Sequence, residues 1–439
     1  MKCIFKQFKL LFVLLLLIAC GSDTHNDLEY DKNDEIGNYI ERFIKIDDMG
    51  RPTIPVELAK RDFLYLTDIL RENLPVLDAH YNRNRAFSEN FEEDFLHTYS
   101  RYNLLITVSD YMLVREHINM MNTFIRRLQG TDMSAGHLFV FDHTNILPMM
   151  LDYINSDYSR EIYNLLGFVP EEIDENAPSG NVNFELFEEY SVAYINVRSF
   201  FTTEYDIYKV FDFYNEIADF DNLIIDLTNN LGGWLSWFDM FIFPNLSRVS
   251  SGGVLPLFFK DSELLKNHLS NFGLSYEPIE NFDFERFSEI ERSDFENLAY
   301  VIQNLYIQND DTETLSFDGD IYILINRRSM SSSDAFARFV RATNFATLVG
   351  TPTGGGGEGV EYLFMIYNNF NFIDDGQPFT KIMELPYSRL LFRFDHLYSI
   401  NEVGNWTLEI GTLPDIWQME GKTILETALY HISQKREAN

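Results

Sequence analysis

The sequence DIYILINRRSMSSSD, residues 320–334, decides how the chain must fold, because it reads as a strand, a tight turn and the start of a helix. The consecutive apolar residues 321–325 predict a strand buried on both faces. The serines that follow offer side-chain oxygens as helix N-caps. Apolar residues then recur at helical spacing at Ala335, Phe336, Phe339 and Val340. A serine at such a turn is a candidate nucleophile, since amides at a helix start can stabilise an oxyanion, but a plain helix cap stays open as the alternative.

The N-terminus has the pattern of a signal peptide. Basic residues precede the apolar run 10–19, which is too short to span a bilayer. The sequence LIACG, residues 17–21, resembles the bacterial lipobox, whose cysteine is acylated and becomes the new N-terminus. We therefore expect residues 1–19 to be removed and Cys20 to anchor the protein in a lipid bilayer. The alternative is a plain signal peptide with an incidental cysteine.

Composition limits the classes of function. The formal net charge is −34, which argues against nucleic acid or an anionic lipid surface as a partner. Cys3 leaves with the signal peptide and Cys20 is expected to be acylated, so disulfides, thiolate metal sites and a cysteine nucleophile are excluded. The histidines lack the His-x-x-x-His and His-x-His spacings of metal ligands. We therefore predict no metal and no cofactor.

Composition and hydrophobic pattern divide the mature chain into three parts. Residues 20–52 are polar and acidic, which predicts a flexible tether. Helical spacing over residues 53–130 predicts a helical N-terminal domain and places Met112 in a helix. In residues 131–439 short apolar strands alternate with helical stretches, which is typical of an α/β core. The aromatic and acidic span at about 250–318 is interpreted as an insertion over that core.

The core has its own predicted order of elements. Apolar runs broken by Gly, Pro and Asn predict strands at residues 138–141, 192–197, 223–227, 321–325, 347–349 and 362–366. Helices are predicted after Gly233, after Ser333 and at residues 423–433.

Three loops next to predicted strands carry the residue types of a catalytic site. They are DMSAGH at 132–137, LIIDLTNNLGG at 223–233 and GTPTGGGG at 350–357. The glycine pair at the end of the second stretch lets backbone amides approach a ligand, although a strand-ending turn would use the same glycines. The run 354–357 lacks the lysine and the Ser/Thr of a P-loop, so nucleotide binding is not expected. Asp226 is interpreted as a structural hydrogen-bond acceptor.

Taken in order with SSSD at 331–334 and PDI at 414–416, these stretches resemble serine peptidase family 41, the tail-specific proteases and their tricorn-like relatives. The family pattern is Gly-His, then Asp-Leu-Arg-x-Asn-x-Gly-Gly, then Ser-Ala-x-Glu, then Gly-x-x-Thr-x-Gly, and late a Pro-Asp-Ile. The resemblance implies an α/β fold with the crotonase/ClpP-like core of these proteases, preceded by a helical N-terminal domain.

The chain departs from the family pattern at several positions. Thr228 replaces the usual arginine, Ser332 the usual alanine and Asp334 the usual glutamate, and all three changes are chemically mild. The larger departure is Gly356, which stands where bacterial tail-specific members carry a lysine. The span between the histidine motif and the following strand is too short for a PDZ domain.

The resemblance also implies roles for single residues. Ser331 would be the nucleophile, and the amides of Gly232 and Ser332 would form the oxyanion hole. Such a set suits acyl transfer, which needs a hydroxyl, a base and two donors aimed at the developing charge.

The base is expected to be a histidine, as in tricorn-like members. His137 matches the family histidine, with Glu409 as the group that orients its ring and Glu358 or Ser134 as alternatives. A lysine base is not expected, because no lysine lies in the glycine-rich loop. The lysines after Ser331 are Lys381, Lys422 and Lys435.

The leading hypothesis is a serine endopeptidase that acts through an acyl-enzyme on Ser331 and is lipid-anchored in the bacterial cell envelope, with the outer membrane favoured. Its substrate would be a peptide or protein. A second hypothesis is an inactive family member that binds peptides, motivated by the missing lysine. A third is a glycan-binding lipoprotein, suggested by an aromatic content of 15% and by the acidity of the chain.

Overall fold

The computed structural model describes residues 43–75, 87–129, 138–144, 156–169, 174–234, 236, 238–242, 244–245, 249, 254–271, 275–304, 317–356, 380–395, 397–408 and 410–438. Cys20, His137 and Glu409 lie outside the described residues, as does the strand predicted at 362–366. Within the described ranges, no helix combines the length and the apolar character needed to cross a bilayer.

The first part of the described chain combines helices with a small antiparallel sheet. Its elements are β1 (Lys45–Ile46), β2 (Pro52–Pro55), α1 (Val56–Asn73), α2 (Phe87–Val108), β3 (Tyr111–Leu113) and α3 (Val114–Gln129). The strands pair in the order β1-β2-β3. The sequence predicted helices only, and the placement of Met112 in a helix is wrong, because this residue lies in β3. Helix α2 ends before it at Val108, and the Ser109 hydroxyl then donates to the carbonyl of Tyr111 at 2.6 Å.

The rest of the chain alternates strands and helices. Its elements are β4 (Phe139–Val140), α4 (Asp157–Leu165), β5 (Val182–Phe187), β6 (Val192–Val197), α5 (Glu204–Glu216), β7 (Asn222–Asp226), β8 (Val254–Lys260), α6 (Glu263–Asn271), β9 (Glu277–Pro278), β10 (Leu298–Asn304), β11 (Asp320–Ile325), α7 (Ser332–Thr343), β12 (Thr347–Gly350), β13 (Thr380–Glu384), β14 (Leu391–Asp395), β15 (Tyr398–Ser399), β16 (Ile416–Trp417) and α8 (Ile424–Ala438). A π-helix spans Phe238–Ile242, and short 3-10 helices lie at Glu188–Tyr190, Ile279–Asn281, Phe284–Arg286 and Arg292–Phe295.

A six-stranded sheet forms the centre of this α/β structure, in the order β16-β12-β11-β7-β6-β5. All neighbours are parallel except β5, which is antiparallel to β6. In the middle of the sheet, Ile323 of β11 lies opposite Ile225 of β7 and Leu348 of β12. Parallel strands covered on both faces have continuous apolar sequences, which explains why β6, β7, β11 and β12 were predicted to within one residue at each end.

Helices cover both faces of the sheet. Helix α7 packs Phe336 and Phe339 against one face, in the same apolar cluster as Ile323. Helix α8 packs Ala428 and Ile432 against the other face. Strand β11 is therefore buried on both sides, as its sequence predicted.

Two smaller antiparallel sheets flank this centre, in the orders β15-β8-β10-β9 and β13-β14-β4. The first comes largely from the span predicted as an insertion. The N-terminal helices join the rest of the molecule here, because Lys260 Nζ donates to the carbonyl of Arg71 at 2.9 Å and Ser262 Oγ donates to Asn73 Oδ1 at 2.6 Å. Residues 43–439 form one compact unit, and the domain boundary near residue 130 stays a prediction.

Candidate active site

The candidate site lies at the carboxyl ends of three neighbouring parallel strands, β7, β11 and β12, where ligands of open α/β sheets bind. Backbone hydrogen bonds tie together the loops that follow these strands. The Met330 amide donates to the carbonyl of Asn230 at 3.0 Å, and the Ser331 amide donates to the carbonyl of Gly355 at 3.0 Å. The segment that carries Ser331 is therefore held on both sides by the glycine-rich loops that the sequence singled out.

Ser331 has a backbone conformation that is rare for a residue with a side chain. Its φ is 53° and its ψ is −122°, and it directly precedes helix α7. Such conformations cost on the order of 1–3 kcal/mol and persist at functional sites, where the surrounding structure imposes them. A strained serine between a strand and a helix is the geometry of a nucleophile elbow. A plain N-cap does not account for it, because an N-cap residue ordinarily has β-region dihedral angles.

Gly232 lies directly against the Ser331 turn. Its φ is +102°, and a Cβ added to it would lie 2.7 Å from Ser331 Cβ and 3.0 Å from the Ser332 amide nitrogen. Only glycine fits this conformation and this space. The structure therefore brings together the three residues assigned to the nucleophile and the oxyanion hole.

The amide of Gly232 already has an acceptor. It donates to Asn230 Oδ1 at 2.8 Å, while Asn230 Nδ2 donates to the carbonyl of Val197 at 2.9 Å. The Asn230 side chain is 0% exposed, so it is fixed between the end of β6 and the glycine loop. No role was predicted for Asn230, although an amide side chain two residues before a glycine pair is a signal for such a turn.

Ser332 connects the helix start to the glycine loop. Its hydroxyl donates to the carbonyl of Trp234 at 2.6 Å. Its own amide belongs to the first turn of α7, where amides have no partner within the helix. The Ser332 amide is thus suited to donate to an anion beside Ser331.

Asp334 organises the other side of the turn. Its buried carboxylate accepts hydrogen bonds from the hydroxyl of Thr353 and, at 3.0 Å, from the hydroxyl of Thr412. The Thr412 amide also donates to Thr353 Oγ1 at 2.7 Å. Asp334 therefore joins helix α7 to the loop after β12, and the shorter carboxylate in place of the family glutamate serves as an acceptor here.

Asp226 is a structural acceptor, as the sequence predicted. Its carboxylate accepts hydrogen bonds from the hydroxyl of Thr228 at 2.6 Å and from the hydroxyl of Tyr194 at 2.5 Å. Burial raises the pKa of Tyr194, and the hydrogen bond to Asp226 raises it further, so the phenol stays protonated. Thr228, which replaces the family arginine, thus caps the carboxylate at the end of β7.

Apolar side chains stand exposed beside the glycine loop. Phe201 is 55% exposed and Leu231 is 56% exposed. The ring of Phe201 packs edge-on against Trp234, with centroids 5.3 Å apart. These side chains form an exposed apolar surface beside the loop that packs against Ser331.

His137, the predicted base, lies outside the described residues, as do Glu409, Glu358 and Ser134, the groups predicted to orient it. Their roles stay predictions. The expectation that Lys381 is not the base also stays a prediction, because its side chain lies outside the described residues. One lysine is far from the site: Lys435 Nζ donates to Asp320 Oδ2 at 2.6 Å, at the amino end of β11, whereas Ser331 follows its carboxyl end.

In a comparison with protein families, residues 274–416, which include the Ser331 turn, match Peptidase family S41. No curated protein matches the chain. Among solved structures, it is similar to a Parabacteroides merdae protein provisionally described as a peptidase, with 16% identity, a TM-score of 0.46, and coverage of 87% of this chain and 98% of the other.

Two further solved structures show a similar extent of overlap. Mature CPAF complexed with lactacystin has 12% identity and a TM-score of 0.41, with coverage of 87% of this chain and 98% of the other. The photosystem II D1 C-terminal processing protease has 12% identity and a TM-score of 0.35, with coverage of 85% and 96%.

Proposed function

We propose that this chain, a serine-type peptidase whose residues 274–416 belong to Peptidase family S41, is an endopeptidase that forms an acyl-enzyme on Ser331. The observation that carries the proposal is the strained Ser331 turn, with φ of 53°, packed against Gly232 and the Ser332 amide. Nucleophile, loop glycine and helix start then stand in the relation that acyl transfer requires.

In the proposed reaction, Ser331 Oγ attacks the carbonyl carbon of the scissile peptide bond and its proton passes to His137. The resulting oxyanion accepts hydrogen bonds from backbone amides at Ser332 and Gly232. When the tetrahedral intermediate collapses, the C–N bond breaks and the departing amine takes the proton from His137. Water then repeats these steps on the acyl-enzyme and releases the second product. Glu409 orients the imidazole throughout.

In this mechanism the Gly232 amide must exchange its hydrogen bond with Asn230 for one with the oxyanion. The Gly232 amide donates to Asn230 Oδ1 at 2.8 Å. An ionised oxygen accepts hydrogen bonds about twice as strongly as a neutral amide oxygen does. The developing oxyanion therefore draws the Gly232 amide away from Asn230 as charge forms, and the donor acts mainly in the transition state.

A fluorophosphonate probe tests the proposal, because it reacts covalently with an activated serine. We expect labelling of the wild type and none of Ser331→Ala. Ser333→Ala is the matched control, since Ser333 lies on the same turn but is fully buried and makes no side-chain hydrogen bond among the described residues. Equal labelling of wild type and Ser331→Ala would refute the nucleophile.

The same probe tests the second candidate, an inactive family member that binds peptides. Gly356 favours this candidate, because relatives carry a lysine at this position and this chain does not. The position is close to Ser331, since a Cβ added to Gly356 would lie 3.8 Å from the Ser331 amide nitrogen. An unlabelled wild type that still binds casein-derived peptides would support peptide binding without catalysis.

The site of action is proposed to be the bacterial cell envelope, with Cys20 acylated and embedded in the membrane. The support is the lipobox-like sequence at 17–21. We expect the wild type in the membrane pellet and Cys20→Ser in the soluble fraction. Retention of Cys20→Ser in the pellet after a high-salt wash would show that Cys20 is not the anchor.

A further inference from the structure

Apolar side chains stand on both sides of the glycine pair 232–233, in the loop that packs against Ser331. Leu231 directly precedes the pair and is 56% exposed. Trp234 directly follows the pair, and its ring packs against Phe201, which is 55% exposed. A single exposed apolar side chain is common on protein surfaces and needs no function. These three side chains differ, because they flank the pair that contains the proposed oxyanion donor.

The backbone on either side of Leu231 is fixed, although its side chain is exposed. Asn230 is 0% exposed, and its carbonyl accepts a hydrogen bond from the Met330 amide at 3.0 Å. Gly232 has no room for a side chain, since an added Cβ would lie 2.7 Å from Ser331 Cβ. Consecutive Cα atoms are about 3.8 Å apart, so Leu231 holds a constant place one residue from the oxyanion donor.

A short parallel pairing fixes the other side of the glycine pair. The Phe200 amide donates to the carbonyl of Gly232 at 2.9 Å, and the Trp234 amide donates to the carbonyl of Phe200 at 3.1 Å. The Ser332 hydroxyl donates to the carbonyl of Trp234 at 2.6 Å. Through these bonds the rings of Phe201 and Trp234 are held at a set distance from the proposed nucleophile.

In the proposed mechanism, the scissile carbonyl of the substrate binds at the amides of Gly232 and Ser332. The two substrate residues joined by the scissile bond have Cα atoms only about 3.8 Å apart, so both lie close to this loop. A substrate side chain that covers Leu231 or Phe201 removes apolar surface of both partners from water. A charged side chain would lose part of its hydration there and gain no opposite charge from Leu231, Phe201 or Trp234.

We propose that Leu231 and the paired rings of Phe201 and Trp234 determine specificity, by selecting peptides with a large aliphatic or aromatic residue next to the scissile bond. This proposal rests on the proposed function, because it names the substrate class of the same site. Hydrophobic pockets discriminate between side chains by roughly 10–200-fold, and an open surface belongs at the low end of that range.

A series of four peptides tests the proposal. One residue is phenylalanine, leucine, alanine or glutamate, in an otherwise constant sequence of alanine, serine and glycine. Mass spectrometry locates each cleaved bond, and steady-state kinetics give kcat/KM. We expect wild type to cleave beside the varied residue, with kcat/KM about tenfold higher for phenylalanine or leucine than for alanine or glutamate.

Two variants should change this order of substrates. Leu231→Arg should favour glutamate over leucine, because arginine pairs with a carboxylate. Phe201→Ala should reduce the preference for phenylalanine. If Leu231→Arg does not fold by circular dichroism, Leu231→Ala decides through loss of the leucine preference. Leu104→Ala is the matched control, since Leu104 is 65% exposed on helix α2, and it should keep the wild-type order. Equal rates for the four peptides, or the wild-type order in both variants, would overturn the proposal.

Binding to Ser331→Ala separates this proposal from the proposed function. Fluorescence anisotropy with singly labelled forms of the four peptides measures affinity where no acyl-enzyme can form on Ser331. We expect the phenylalanine and leucine peptides to bind about tenfold more tightly than the other two. A wild type that cleaves no peptide, together with this order of affinities, would count against the proposed function and support the apolar surface. In a wild type without activity, equal affinities would overturn the surface as well.

Discussion

Replacing Gly232 with alanine is the sharpest test of the active-site geometry. The new Cβ would lie 2.7 Å from Ser331 Cβ. Carbon atoms in contact prefer about 3.5–4.0 Å, so the two loops must separate by about 1 Å. A misplacement of that size lowers turnover about a hundredfold, and loss of one oxyanion donor has a similar effect. We therefore expect kcat to fall at least a hundredfold, or about 2.7 kcal/mol in activation free energy.

The assay is steady-state hydrolysis of a casein-derived fluorogenic peptide, with urea unfolding of each variant in parallel. Gly180→Ala is the matched control, because Gly180 also has a positive φ, of +76°, but its Cβ would meet no atom within 4 Å. Both variants carry backbone strain of about 1–2 kcal/mol, whereas only Gly232→Ala disturbs Ser331. Unchanged turnover in Gly232→Ala would refute its place in the site. An equal loss of turnover in Gly180→Ala would show that strain alone is responsible.

Three further predictions follow from described contacts and from the proposed base. Asn230→Ala removes the acceptor of the Gly232 amide and should lower the free energy of unfolding by about 1–3 kcal/mol in urea titrations; an unchanged value would show that this buried bond contributes nothing. His137→Ala should lose most activity together with the acidic limb of the pH-rate profile, near pH 6.5, and full activity in this variant would exclude His137 as the base. Because the pKa of Tyr194 is raised in the folded state, the stability gained from its hydrogen bond should be present below about pH 10 and decline above it. The stability difference between wild type and Tyr194→Phe should therefore shrink in alkaline urea titrations, and a constant difference would contradict the hydrogen bond to Asp226.

The central sheet could be predicted from the sequence because its strands are buried on both faces. Strand β6 has the predicted bounds 192–197, and β11 begins one residue before the predicted 321–325. By contrast, β2 has only four residues and directly precedes helix α1, and β3 has only three residues and lies between helices α2 and α3, so their apolar residues merge with the helical pattern. The helix predicted after Gly233 is a short π-helix at Phe238–Ile242.

Only those residues of the candidate site that lie in a family motif could be predicted from the sequence. The resemblance assigned Ser331, Gly232 and Ser332, and the structure brings these residues together. Periodicity could not show that Thr412 hydrogen-bonds to Asp334, 78 residues away, because such contacts depend on how the sheet is assembled. The bond of Asn230 to the Val197 carbonyl, 33 residues away, was unpredictable for the same reason, whereas its bond to the Gly232 amide is local.

The contacts that hold Ser331 determine the stage of folding at which its turn can form. Its backbone conformation, with φ of 53°, is one that a free polypeptide rarely visits. It depends on hydrogen bonds from Met330 to Asn230 and from Ser331 to Gly355, between loops that follow three different strands. A newly made or partly unfolded copy therefore contains the serine but not this backbone conformation. The activity proposed for Ser331 therefore requires the complete sheet, so an incompletely folded copy should not cleave its neighbours.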